Sequence, residues 1–271
     1  MALDVYTHGH HASVLRSHSR RTAENSAAYL LPHLLPGQRV LDVGCGPGTI
    51  TVGFADRVAP GEVVGIDPAE AVLDEARRFA AERQADAQHA RVAFRVGDVY
   101  SLEFADDSFD VVHAHQVLQH LTDPVAALRE MRRVTRPGGL VAVRDGDYGA
   151  MTWHPASEGL ELWSETYHRV TAANGAQADA GRRLLAWAIE AGFEDVIPSA
   201  AVWCFATPED REWWAETWSE RVVHSAFAEQ AERYALATRS DLESMRDAWR
   251  TWGDAPDGWF TVVHGEVLAT A

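Results

Sequence analysis

The chain has 271 residues, 46% of them apolar, and a formal net charge of −16. Such length and composition suit one generous domain, or a core with a cap, and a sizeable buried core. The acidic balance excludes the general phosphate-binding surface that nucleic acids require, and no apolar run is long enough to span a bilayer.

The two cysteines, Cys45 and Cys204, lie far apart and outside any metal-ligand spacing. A reduced, cytoplasmic protein without a secretory leader is expected. In chain order, residues 1–18 are polar and carry His8, His10, His11 and His18. Their spacing does not make a metal-ligand set, and no metal is expected. The segment reads as an arm that folds over a site, with Tyr6 and His10 on the substrate side. A helix is expected over 19–31, and Pro36-Gly37 turns into the first strand.

The organising stretch is Val40-Leu41-Asp42-Val43-Gly44-Cys45-Gly46-Pro47-Gly48-Thr49. The apolar run suits a buried parallel strand. Gly44, Gly46 and Gly48 permit a tight turn and close backbone approach to a ligand. Ile50, Phe54 and Val58 then recur at helical spacing. Dinucleotide folds use G-x-G-x-x-G, with a pyrophosphate on the helix N-terminus. Here the spacing is G-x-G-x-G, and Asp42 precedes it. A carboxylate beside the loop repels a pyrophosphate and welcomes an amino group. S-adenosylmethionine has no phosphate and carries an ammonium and a sulfonium.

From about residue 37 to residue 144 the chain resembles the class I S-adenosylmethionine-dependent methyltransferases. It is nearest to the branch of the ubiquinone and menaquinone C-methyltransferases. The resemblance implies a Rossmann-like α/β fold with an open seven-stranded sheet, mostly parallel, its last strand antiparallel. It also implies S-adenosylmethionine as cofactor, with S-adenosylhomocysteine as product, and Asp42, Gly44, Cys45, Gly46 and Gly48 around it.

The second strand is expected over 62–67 and ends at Asp67, about twenty residues past the loop. There a carboxylate takes both hydroxyls of a ribose cis-diol. Pro68 suits the first turn of the next helix. The third strand, 91–96, leads to Gly97-Asp98-Val99. By resemblance Asp98 accepts from the adenine amino group and Val99 meets the ring through its backbone. The fourth strand, 109–114, delivers His115 and Gln116 to its carboxyl end, where open α/β sheets hold ligands. The resembled quinone enzymes place a small cofactor-contacting residue at position 115. His115 is therefore a departure, either touching the cofactor or serving as a base. His113 lies on the same strand face. His120 matches a position that packs structurally.

Asp123 and Pro124 start a helix whose Arg129, Arg132 and Arg133, with Arg136 beyond, read as a solvated basic face. The fifth strand is expected over 140–143. In the resembled branch its exit faces substrate, which makes Asp145, Asp147 and Tyr148 candidates for orienting or deprotonating it. Catalytic candidates are thus His115, His113 and Asp145.

All ten tryptophans lie after residue 150. Helices are expected over 156–173 and 180–191, a strand over 193–205, a helix from Thr207, another at the S-x-x-E pattern of Ser240 and Glu243, and a last strand over 259–268. The helical stretch of 207–255 is inserted between the sixth and last strands. It reads as a cap whose Trp213, Trp214, Trp218, Trp249 and Trp252 either wall a pocket, pack the cap, or form a homodimer face.

Three regions result: an N-terminal lid arm and helix (1–36), a cofactor-binding core (37–150), and the rest of the sheet with its cap (151–271). The implied activity is methyl transfer to O, N or C of a small molecule, a quinone or a specialised metabolite. Two alternatives stand beside it. One is a cofactor-binding protein that transfers no methyl, as a binding module or a cyclase. The other is an NAD(P)-dependent oxidoreductase, against which the loop spacing and Asp42 argue.

Overall fold

The computed structural model describes residues 4, 5, 7, 20–83 and 90–271. Tyr6 and His10 of the expected substrate side, with His8, His11 and His18, lie outside the described residues. Seven strands form one sheet: β1 (Arg39–Val43), β2 (Glu62–Asp67), β3 (Arg91–Val96), β4 (Phe109–His115), β5 (Thr135–His154), β6 (Val196–Phe205) and β7 (Trp259–Thr270). Their spatial order is β3-β2-β1-β4-β5-β7-β6. The chain reverses direction across the sheet between β1 and β4, which opens a crevice at the carboxyl ends of those strands. β1 to β5 pair in parallel, and β7 runs antiparallel to both β5 and β6.

The central strands are buried runs because helices cover both faces. Helix α1 (Ala23–Ser26) and helix α2 (Thr49–Val58) cover one side, where Phe54, Val58, Val40 and Val111 form a core. Helices α3 (Glu70–Arg83) and α4 (Pro124–Val134) flank the sheet further along. Leu128 and Met131 of α4 meet Leu184 and Ala188 of α6 (Leu184–Glu190) in a second core on the other side. Asp123 caps α4, with Pro124 opening it. The arginines at the end of α4 are tied down: Arg133 to Glu130 and Asp106, and Arg136 to Asp110.

The first expected helix is shorter than 19–31 among the described residues, since regular helix covers only Ala23–Ser26, followed by a 3-10 turn at Leu31–His33. Pro32 lacks the N–H that would continue an α-helix. The fifth strand is much longer than 140–143. Its exit is not a loop, because β7 pairs with it through Arg144↔Glu266, Asp145↔Gly265 and Asp147↔Val263. Pro198 is tolerated in β6 because that strand lies at the sheet edge.

Between β6 and β7 lie α7 (Pro208–His224), α8 (Ala226–Arg233) and α9 (Arg239–Asp254). Helix α9 starts two residues before the expected box: Thr238 is its cap, and Asp241 completes the reciprocal bonds. These helices and α5 (Glu158–Ala173) bury a third core. Trp163 sits at its centre, with its ring 4.7 Å from Trp218 and 4.9 Å from Trp249 in edge-to-face contact.

Candidate active site

The loop after β1 holds three left-handed glycines, Gly44 (φ 66°), Gly46 (φ 53°) and Gly48 (φ 77°). A Cβ on Gly44 would collide with Val117, and one on Gly48 would lie 2.8 Å from the Phe94 ring. The turn therefore needs glycine for its backbone and for its neighbours. The loop curls over the end of β2, where Cys45 N–H donates to Ile66 C=O at 2.9 Å.

Around this turn stand three acidic groups. Asp42 is buried, with its Oδ2 accepting from Thr51 Oγ1 at 2.6 Å and its Oδ1 2.7 Å from His113 Nδ1. Asp67, at the end of β2, accepts from Gly46 N–H at 3.1 Å and from Ala69 N–H at 2.9 Å. One carboxylate thereby links the glycine turn to the start of α3 and is held at the cavity wall. Asp98, past β3, accepts from Tyr100 N–H at 2.9 Å, an Asx turn that fixes its direction.

A cavity of about 1240 Å³ opens over the carboxyl ends of β1, β2 and β4 and extends beneath the cap. Pockets for drug-sized ligands measure roughly 300–1,000 Å³, so this one is large enough for a cofactor and a second small molecule. At the sheet end it is lined by Asp42, Gly44, Cys45 and Gly46, then Asp67 and Pro68, then Asp98 and Val99. Gly48 is absent from the lining and acts only by letting the turn pack on Phe94. Burial pushes the Cys45 thiol up, and the Asp42 and Asp67 charges add to it, so the group is neutral.

His115 stands where the two ends of the cavity meet, 95% buried. Neither ring nitrogen has a hydrogen-bond partner among the described residues. Burial pushes its pKa well below the usual histidine value, and the positive charges of Arg144 and Arg21 push it further. The ring is therefore held as a neutral imidazole. His120 also lines the cavity, although a purely structural place was expected for it. Burial, then Arg21, hold its pKa at about 3.

Three expected catalytic or substrate-side groups are not brought to the cavity. His113 is fully buried, bonded to Asp42 and packed edge-on against Phe54. Its position on the sheet turns it toward α2, so it has no surface on the cavity. Asp145 is fully buried and accepts from Gln119 N–H at 3.1 Å, and burial raises its pKa to about 7. Asp147 accepts from Arg182 N–H at 3.0 Å and pairs with the Arg182 guanidinium. Both carboxylates sit within the β5–β7 ladder rather than in a flexible exit. Tyr148 does line the cavity and is stacked on Tyr167 with ring centroids 4.0 Å apart.

The cap end shows residues that sequence reasoning missed. Arg21 donates to Gln116 Oε1 at 2.6 Å, and Gln116 adopts the left-handed region at φ 54°. Trp203 of β6 and Arg221 of α7 also face in. The signal for Arg221 was present in the spacing Trp214-x3-Trp218-x2-Arg221, one face of a helix. Of the five tryptophans considered for the wall, Trp213, Trp214 and Trp218 line the cavity, whereas Trp249 and Trp252 are buried in the cap. Among the described residues no three His, Cys, Asp or Glu gather to hold a metal ion, and no helix is long and apolar enough to cross a membrane.

Comparison with known proteins agrees with this geometry. The methyltransferase domain family matches residues 34–216. An uncharacterized methyltransferase of Schizosaccharomyces pombe is 37% identical over 268 residues, covering 97% of this chain and 95% of the relative. A ubiquinone/menaquinone biosynthesis C-methyltransferase of Bdellovibrio bacteriovorus is 41% identical over 107 residues, covering 40% of this chain and 43% of its own. Among solved structures, a Haemonchus contortus phosphoethanolamine N-methyltransferase superposes with a TM-score of 0.55 at 23% identity, covering 90% of this chain and 51% of that one. That last likeness concerns the fold. The match to most of the chain's core and the full-length relative place this protein in the methyltransferase-domain family, whose cofactor is S-adenosylmethionine.

Proposed function

We propose that the protein transfers a methyl group from S-adenosylmethionine to a flat, apolar small molecule held beneath the cap. The observation that carries this is one continuous cavity, with an acidic glycine turn at one end, tryptophans at the other, and His115 between them. The G-x-G-x-G spacing and the Asp42 carboxylate beside the turn disfavour a diphosphate and hence a nicotinamide dinucleotide. When bound, S-adenosylmethionine supplies a methyl group on a positively charged sulfur and leaves as the neutral thioether S-adenosylhomocysteine.

In this reading Asp67 takes the ribose hydroxyls, with Pro68 beside it. Asp98 accepts from the adenine amino group and Val99 packs on the ring. Asp42 gives the turn of Gly44, Cys45, Gly46 and Gly48 a negative charge that favours the ammonium. The core of 37–150 serves the cofactor, and the region 151–271 with its cap at 207–255 serves the acceptor. Trp213, Trp214 and Trp218 position the acceptor and exclude water. Holding the reacting atoms aligned supplies on the order of 7–11 kcal/mol of the barrier. Where the acceptor must lose a proton, His115 receives it, because its imidazole is neutral and borders the cavity. General base catalysis of this kind contributes roughly 10²- to 10⁴-fold.

The test supplies methyl-labelled S-adenosylmethionine with a panel of phenols and enolisable ketones. The expected result is one labelled methyl on an acceptor, with S-adenosylhomocysteine appearing in step. Tight cofactor binding with no acceptor methylated across the panel would favour a protein that binds the cofactor without transfer.

A further inference from the structure

β4 ends at His115, and the chain turns at Gln116. Gln116 takes the left-handed region at φ 54° without being glycine, and its N–H donates to Arg144 C=O at 2.7 Å. Non-glycine residues in that region are uncommon and cluster at functional sites, where their surroundings hold them. Here the turn sets the side chain at the cavity wall, between His115 and Val117 of the lining.

The amide of Gln116 is gripped from two sides. Its Oε1 accepts from Arg21 Nη2 at 2.6 Å, and its Nε2 lies 2.8 Å from His264 Nε2. An arginine only donates, which fixes the amide oxygen on that side and the NH2 group on the other. The NH2 group only donates as well, so His264 accepts through Nε2. His264 is fully buried, and burial, with the charges of Arg144 and Arg21, keeps it neutral, as acceptance requires. A primary amide carries two N–H groups, and His264 takes one. The second has no partner among the described residues and belongs to a half-buried side chain on the cavity wall. The arginine on the oxygen polarises the amide and strengthens this N–H as a donor.

The carboxylates of the lining do not engage it. Asp42 is held by Thr51 and His113, Asp67 by the N–H groups of Gly46 and Ala69, and Asp98 by Tyr100 N–H. Asp4 accepts from Thr122 N–H at 3.0 Å, Asp210 faces Arg20 at 3.8 Å, and Glu103 lies on the segment after β3. None of these carboxylates bonds Gln116 among the described residues. A neutral donor with a cation behind it suits an uncharged oxygen on which negative charge grows, as on a ketone that passes to its enolate.

We infer that the acceptor carries a carbonyl or enol oxygen on its flat body, and that Gln116 is the specificity-determining residue whose second amide N–H receives that oxygen. The inference rests on the proposed function, since it assigns one contact of the acceptor in that same cavity.

The test uses the full chain saturated with S-adenosylhomocysteine and titrated by calorimetry with 2-acetylnaphthalene or with 2-isopropenylnaphthalene, which has the same shape with a CH2 group in place of the oxygen. Both probes are uncharged, so the lining carboxylates do not sort them by charge. The wild type is expected to bind the ketone about tenfold more tightly, although the alkene is the more apolar of the two. In Gln116→Met, which has no side-chain N–H, the preference disappears because the ketone is weakened and the alkene is not. Gln116→Glu keeps an oxygen for Arg21 but has no N–H when ionised, and gives the same result. Equal or tighter binding of the alkene by the wild type, binding of neither probe, or a ketone preference that persists in Gln116→Met would each overturn the assignment. Equal weakening of both probes in Gln116→Met would also overturn it, because a residue that only shapes the turn after β4 would act on both alike. The wild-type comparison stands even if a variant fails to fold. Failure of the wild type to bind S-adenosylhomocysteine at all would instead strike the proposed function.

Discussion

His113 Nδ1 lies 2.7 Å from Asp42 Oδ1 in a site where both side chains are buried, and Thr51 holds the other carboxylate oxygen. The pair joins β4 to β1 at the point where the glycine turn begins. It fixes the acidic end of the cavity without touching it through the imidazole. His113→Phe leaves Asp42 short of one partner in a buried place, which costs about 1–3 kcal/mol. Urea unfolding is expected to show a lower midpoint with an unchanged slope. The folded fraction is expected to keep wild-type dependence of turnover on pH, as a positioning role requires and a catalytic one would not.

His115 is expected to behave differently. Its pKa is already depressed by burial and by Arg144, so it is unprotonated across neutral pH. Turnover is therefore expected to show no loss attributable to this ring between pH 8 and about pH 6. His115→Ala is expected to lower kcat by about 10²-fold or more for an acceptor that must be deprotonated. A pH–rate profile with a limb near the ordinary histidine value would contradict this.

Stability has a predicted pH dependence of definite sign. His115, His120 and His264 are buried with pKa values below 6.5, the ordinary value, because burial disfavours their charged forms. As the pH falls below 6.5 the unfolded chain takes up protons at these sites before the folded one does, and stability falls. Asp145 opposes them: burial raises it to about 7 from 3.8, so the folded state gains its proton first and stability rises as the pH falls between those values. The three histidines outnumber Asp145, so stability is expected to fall as the pH drops below about 6. Chemical denaturation at a series of pH values measures it. A flat dependence over that window would contradict these assignments.

Gly44→Ala is expected to fail for two independent reasons, the left-handed φ of 66° and the contact of its Cβ with Val117. The cost exceeds about 1 kcal/mol. Because Gly44 lines the cavity, cofactor affinity is expected to fall in step with stability, which thermal unfolding with and without S-adenosylhomocysteine checks.

The glycine-turn end of the cavity was legible because short-range rules govern it. Strand, turn and helix follow one another within ten residues, and Asp67 and Asp98 sit at strand ends that periodicity locates. The cap end was not. The fifth strand is expected to end at Val143, with Asp145 and Asp147 at its exit, yet β7, more than a hundred residues away, pairs through that stretch and buries them. His113 and His115 share a strand face, but His113 lies below the crevice and His115 at its rim, which alternation alone does not distinguish. Arg21 and Arg221 come to one cavity from opposite ends of the chain, and no local pattern links them.

The central claim is that a sulfonium nucleoside lies in the crevice with its ribose on Asp67. Calorimetric titration of the wild type and of Asp67→Ala with S-adenosylmethionine and with NAD tests it most directly. The account predicts that the wild type binds S-adenosylmethionine and not NAD. It also predicts that the folded Asp67→Ala protein binds S-adenosylmethionine about 1–3 kcal/mol more weakly. Undiminished affinity in that variant, or a wild type that prefers NAD, would contradict it.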